Sequence, residues 1–180
     1  MGICTIIRKV CVKCLTIFRK QYFKELTGND VSTLKILGQI DVINRNVRIG
    51  EKVTLFNGVV LFGDGQIDIG NRVSIGNDTL IYASHRGGVT IGSNVQIAAQ
   101  SYIIDTNHGT KKGVLIREQE DTSAPIIIGN DVWIGAGAKI LKGSVLEDGC
   151  IIGAQSVVKG RIPSNAIAVG IPARVIRYRE

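Results

Sequence analysis

The chain reads as an all-β solenoid, a parallel β-helix of six-residue repeats with an amphipathic helix ahead of it and one protruding loop. Three observations carry that reading. A unit of Ile-Gly, two polar or small residues and then a small or β-branched residue recurs at Ile49, Ile69, Ile75, Ile91, Ile128, Ile134 and Ile152. Weaker copies fill the gaps at Ile43, Leu55, Leu61, Ile97, Ile103, Ile140, Leu146 and Val158. The spacing holds at six through Ile128, Ile134, Ile140, Leu146, Ile152 and Val158, so three units make one 18-residue coil, the separation of Ile134 from Ile152.

A six-residue unit suits a short strand and a tight corner. The aliphatic residue points inward and stacks on its counterparts above and below, while Gly and Asn take the corners. Coils stack at strand spacing, about 4.8 Å, and the repeats make about six of them. An antiparallel sandwich would instead place turns every 8–12 residues or so, irregularly.

Two places break the period: four extra residues around Ser84-His85-Arg86-Gly87, and a longer run from Asp105 to Pro125. Both are expected to leave the solenoid as loops, where function concentrates. The only two histidines, His85 and His108, sit at these breaks.

Residues 1–26 read as an amphipathic helix, with Ile3, Ile7, Val10, Cys11, Cys14, Phe18 and Tyr22 on one face and Thr27-Gly28-Asn29-Asp30 as its stop. The expected organisation is therefore residues 1–30 as a basic helical segment and 31–180 as the solenoid, with loop 105–125 and closing segment 163–180. The net charge is +7, and Arg8, Lys9, Lys13, Arg19, Lys20 and Lys24, with no acid up to residue 24, supply six of it. The basic character thus belongs to the helix rather than to a nucleic-acid-binding face. Such a helix either lies on an anionic membrane or packs on the end of the prism or on a neighbouring subunit; the sequence leaves both open.

The 180 residues, 44% hydrophobic, are a single domain and not a disordered chain. No apolar run is long enough to span a bilayer, and the N-terminus lacks signal-peptide order, so the expected location is the cytoplasm, with peripheral contact at the inner face of the membrane as an option. Cys11-Val-Lys-Cys14 is a lone C-x-x-C without further ligands, so no metal site is expected. Cys150 falls on a small inward position of a repeat.

The repeats, Asp105-Thr-Asn-His108 before a loop, Pro125-Ile-Ile-Ile-Gly-Asn-Asp-Val-Trp-Ile-Gly-Ala-Gly-Ala, and the ending Ile152-Gly-Ala-Gln-Ser-Val-Val-Lys159 with Ala168-Val-Gly-Ile-Pro-Ala-Arg174-Val-Ile-Arg177 resemble the hexapeptide-repeat acyltransferase superfamily. The likeness covers residues 43–178 and is nearest the galactoside, maltose, antibiotic and surface-polysaccharide O-acetyltransferases. It implies a left-handed helix, since the period says nothing of hand. It further implies acetyl-CoA as donor, no metal, a homotrimer with sites between subunits and a carbohydrate acceptor. The family's general base matches His108, which would strip the proton from an attacking hydroxyl. Asp105 is the nearest carboxylate to orient it, with Glu118, Glu120 and Asp121 as competitors. Trp133 matches an aromatic at the donor groove, Ala136 and Ala154 small residues along the pantetheine arm, and Lys159, Arg174 and Arg177 basic positions near the adenosine phosphates. Asp78, His85, Arg86 and Asn107 would contact the acceptor. Transfer would be direct, to a sugar hydroxyl of a surface polysaccharide or its precursor. The alternatives are transfer to an amino sugar, a nucleotide sugar or an antibiotic, a metalloenzyme of the γ-carbonic-anhydrase type, for which two histidines are too few, and a non-catalytic scaffold.

Overall fold

A computed structural model describes residues 3–180, with side chains from Cys11 onward. Cys4, Arg8, Lys9 and the other side chains up to Val10 lie outside the described residues.

The repeats close into a left-handed parallel β-helix of about seven turns. Its three flat faces are built by strands taken in rotation. The first face stacks Lys35–Leu37, Thr54–Phe56, Ser74–Ile75, Gln96–Ile97, Trp133–Ile134, Ile151–Ile152 and Ala166–Gly170. The second runs from Ile40–Val42 to Val157–Val158, and the third from Val47–Ile49 to Arg161–Ile162. The closing strand Ala173–Tyr178 turns back antiparallel on Ala166–Gly170 and ends the first face.

Inside, the aliphatic residues form three stacked columns. On the first face Ile36, Leu55, Ile75, Ile97, Ile134, Ile152 and Ala168 lie in register. All seven are buried. The second column runs Val42, Leu61, Ile81, Ile103, Ile140 and Val158. Burial of such columns is the main stabilising force, because each short strand has too few contacts to stand alone.

Ile43 is not part of a column. It is 61% exposed, and Val42 takes the inward place against Leu61. Counting back six from Ile49 misses by one because this corner is a residue longer. The buried Asn44 turns inward there, its amide donating to Gly65 O at 2.8 Å and its Oδ1 accepting from Asn46 N at 2.7 Å.

The corners are stapled by side chains. Asn71 Oδ1 accepts from Glu51 N at 2.7 Å, Ser93 Oγ from Asn71 N at 3.1 Å, Asn130 Oδ1 from Ser93 N at 2.8 Å and Asp148 Oδ1 from Asn130 N at 2.7 Å. This ladder is why the residue after the repeat's Gly is so often Asn or Ser. The residue that follows it turns left-handed: φ is +54° at Arg72, +62° at Asn94 and +54° at Asp131.

The N-terminal helix spans Ile3–Thr27. It stops at Gly28, whose φ of +72° lets its N–H reach Lys24 O at 2.8 Å. Phe23 is fully buried in the core cluster, with Leu26 and Val31 packed against that cluster.

Cys150 is fully buried on the first-face side of the prism, and burial pushes its thiol up to about 12. Two outcomes follow. Ile134→Ala should cost about 2–5 kcal/mol in urea unfolding, since the column cannot collapse around the gap. Alkylation of native protein near pH 8, read by mass spectrometry, should label Cys11 and Cys14, both exposed, and spare Cys150.

Candidate active site

Both breaks in the repeat fall at the corner between the second and third faces. Residues 84–88 join Leu80–Ala83 to Val89–Ile91 one coil before residues 105–125 join Tyr102–Ile104 to Ile126–Ile128. One coil earlier still, Asp64 turns the same corner between Val59–Gly63 and Ile67–Ile69. Three successive turns of one edge therefore overhang a common cleft.

The long loop leaves the prism as a two-stranded ribbon, Thr106–Asn107 antiparallel to Thr122–Ser123. Gln119 ties its tip: its Oε1 accepts from Lys111 N at 2.7 Å, and its Nε2 donates to Lys111 O at 3.1 Å and Val114 O at 2.9 Å. Lys142, from the next coil's corner, donates to Thr122 Oγ1 at 2.6 Å and pins the returning strand.

The cleft measures about 550 Å³ and is lined by Asp64, Tyr82, Ser84, His85, Arg86, Thr106, His108, Asp121 and the loop residues Ile116, Arg117, Gln119, Glu120 and Ser123. His108 and Asp121 face each other across the ribbon, Nδ1 to Oδ1 2.7 Å. A second pair lines the same cleft, His85 Nδ1 to Asp64 Oδ2 at 3.5 Å, with the His85 backbone N–H donating to Asp64 Oδ1 at 2.9 Å. Arg86 reaches Glu120 at 3.5 Å and links the two overhangs. Tyr82 also lines the cleft, its ring centroid 5.2 Å from that of Phe62. Burial, then the charges of Asp64, Asp105 and Asp121, push its phenol up, so it is a hydrogen-bond donor through the neutral range.

Asp105 is not the partner of His108. It is fully buried and accepts from Ser84 N at 2.9 Å, Ser84 Oγ at 3.1 Å and Gly88 N at 2.5 Å. This carboxylate clamps the 84–88 turn onto the base of the loop. Gly87 belongs to the clamp, since a Cβ there would lie 2.2 Å from Asp105 Oδ2. The nearest carboxylate in sequence is spent on backbone N–H groups; the one that reaches the imidazole arrives from the far strand of the ribbon.

Asn107 is not among the cleft-lining residues, whereas its neighbours Thr106 and His108 are, as strand alternation requires. Asp78 turns the corner between the first and second faces, another edge of the prism, as do Ala136 and Ala154 further along. Trp133 stands half out of the first face, where it helps to line two shallow hollows. Arg174 and Arg177 lie on the closing strand of that face, and Lys159 turns the second–third corner two coils beyond the loop. One prism thus gathers His108, His85 and Arg86 but spreads Trp133, Ala136, Ala154, Arg174 and Arg177 over another face and edge. Sequence reasoning missed Asp64, Tyr82 and Lys142. Assigning each residue to its corner and coil would have brought Asp64 and Lys142 into line with His85, one coil to either side of the breaks.

Two family models match, one described as bacterial transferase hexapeptide (six repeats) over residues 125–160 and one as hexapeptide repeat of succinyl-transferase over residues 66–104. A putative lipopolysaccharide biosynthesis O-acetyl transferase of Escherichia coli is 34% identical over 142 residues, 73% of this chain and 71% of that protein. The chain belongs to the hexapeptide-repeat acyltransferases. Among other members, a probable acetyltransferase of Mycobacterium tuberculosis is 34% identical over 154 residues, 85% of this chain, and this chain spans 49% of its length. The solved galactoside acetyltransferase in complex with coenzyme A is 29% identical, with a TM-score of 0.59, and the match covers 89% of this chain and 69% of that one. As a hexapeptide acyltransferase the chain carries its interruptions on one edge. Among the described residues no group of three or more His, Cys, Asp and Glu side chains could hold a metal ion.

The two carboxylates should part company in unfolding measurements. Asp105→Ala strands buried N–H groups and should cost about 1–3 kcal/mol in urea. Asp121→Asn, at an exposed site, should stay within roughly 0.5 kcal/mol of wild type.

Proposed function

We propose that this protein is an acetyl-CoA-dependent O-acetyltransferase that uses His108 as general base on a sugar hydroxyl of a surface polysaccharide or its precursor. The observation that carries this is the 2.7 Å pair of His108 Nδ1 with Asp121 at the mouth of a sugar-sized cleft. Asp121 accepts the Nδ1–H and so fixes the tautomer whose Nε2 holds a lone pair. Among the described residues Nε2 has no hydrogen-bond partner. It takes the hydroxyl proton as the sugar oxygen attacks the thioester carbonyl. The tetrahedral intermediate collapses, the C–S bond breaks, and the imidazolium returns the proton to the coenzyme A sulfur. Tyr82, His85 and Arg86 hold the acceptor against the loop.

The donor runs in a groove between two copies. His108 and Lys159 on one prism's second–third edge face the first–second edge of the next, which brings Ala136 and Ala154 along the pantetheine arm and Trp133 to the wall. Asp78 on that same edge then reaches the acceptor from the neighbouring copy. Lys159, Arg174 and Arg177 meet the adenosine phosphates. The spread of these residues within one prism supports a homotrimer, and so do the exposed apolar residues Val114, Leu115 and Ile116 at the loop tip. Names of relatives in lipopolysaccharide and galactoside acetylation support the acceptor class. An acceptor of that class, carried on lipid, would support a location at the inner face of the membrane.

The test is thiol release from acetyl-CoA against a panel of free, nucleotide-linked and lipid-linked sugars. His108→Ala should lose roughly 100-fold or more in kcat, and Asp121→Asn roughly 10-fold, with coenzyme A affinity kept in both. If wild type neither releases thiol nor binds coenzyme A, acyl transfer is the wrong reading.

A further inference from the structure

The helix that precedes the prism packs its far end on the prism and leaves most of its described side chains from Cys11 onward uncovered. Phe23 is buried and Thr16, Arg19 and Lys20 are half-buried, which marks the side turned to the prism. Lys20 confirms that direction by donating to Val31 O at 3.1 Å. At about 100° per residue, Cys11, Cys14, Leu15, Phe18 and Tyr22 fall next to that side, in one stripe roughly 100° wide. All five are exposed, Phe18 at 70% and Leu15 at 50%. An apolar stripe of this size does not stay in water without reason.

The charge says what covers it. The six basic residues of positions 1–24 are unopposed, and the first acid is Glu25. Of the described ones, Arg19 borders the stripe beside Leu15, Lys13 and Lys24 lie together about 80–100° beyond its other edge, and Lys20 lies on the prism side. A second copy of this helix would bring the same cations to the same flanks, and stacking copies would set like charges side by side. Anionic lipid headgroups supply the missing sign. Among the described residues no helix is long and apolar enough to cross a membrane, which leaves the surface as the apolar phase it can enter.

We infer that Cys11, Cys14, Leu15, Phe18 and Tyr22 form a membrane-docking face that seats the enzyme on an anionic bilayer. The face sits at the end of the prism that carries the cleft. Phe23 joins the core at the first coil, and the cleft is built by the corners of the second, third and fourth, so it lies about 5–15 Å along the axis from the helix at strand spacing. An acceptor on a lipid carrier is then presented near the headgroups. The docking itself stands on the helix; only this last consequence rests on the proposed reaction.

The experiment is co-sedimentation of the full chain with vesicles of phosphatidylcholine and phosphatidylglycerol in equal parts, and with phosphatidylcholine alone. Wild type should bind the mixed vesicles at least 10-fold more tightly than the neutral ones and lose that preference as salt rises. Leu15→Glu with Phe18→Glu should weaken binding at least 10-fold, and Lys13→Glu with Lys24→Glu should abolish the preference for anionic lipid. Neither pair should change the elution volume on size exclusion or thiol release with a water-soluble acceptor. Equal binding to both vesicle types, or no loss in the Glu variants, overturns the inference. A change of oligomer size in Leu15→Glu with Phe18→Glu overturns it in favour of a contact between copies. Vesicle binding without thiol release from any acceptor would instead sink the acyl-transfer reading and leave the docking face standing.

Discussion

The structure depends on one constraint: every coil must present the same inward residue at the same height as the coil before it. Coil-to-coil backbone hydrogen bonds fix the rise, and Ile or a close substitute fills the axis at each step. Because the columns run in register from Ile36 to Ala168 on the first face, a residue added within a strand would move every later side chain to the wrong side. Extra chain can enter only at a corner, where the backbone already turns outward. The additions at Asn44, at Asp64, at 84–88 and at 105–125 all obey that rule, and all use the same corner.

This placement explains how a rigid, largely apolar prism comes to hold a polar cleft. The corner of three neighbouring coils is replaced by longer turns, and these need anchors that the hexapeptide pattern does not supply. Asp105 supplies one by accepting backbone and hydroxyl hydrogen bonds from Ser84 and Gly88 across the coil boundary. Lys142 supplies another from the opposite side through Thr122. Between these anchors the ribbon carries His108 outward on one strand and Asp121 back on the other. Their pairing therefore depends on the ribbon's antiparallel register and not on closeness in sequence.

That distinction also marks how much could be read without coordinates. The columns were legible because aliphatic spacing reports an inward direction that nothing else in the solenoid competes with. The loop was legible because it breaks that spacing. Asp105 was assigned to the histidine on sequence distance alone, and the reading failed because a buried carboxylate follows its N–H donors. Ile43 failed for a similar reason: Asn44 turns its amide inward and lengthens one corner, which no count of apolar residues detects. The corners themselves were only half legible. Arg72, Asp131 and Gln155 adopt positive φ as Asn94 does, so the left-handed turn is imposed by the stacking and not by residue preference.

The stacking also makes distance along the prism a stepped quantity. Lys159 turns the same corner as the base of the His108 loop, two coils further on, which sets them about 10 Å apart along the axis. Continuous adjustment of that separation is closed to the fold, because a fraction of a coil would break the columns. Descendants of this sequence can lengthen or shorten the edge only by whole 18-residue coils, each one worth about 4.8 Å. The repeat works as a ruler with fixed graduations, and the reach of anything laid along that edge has to be a length the ruler can mark.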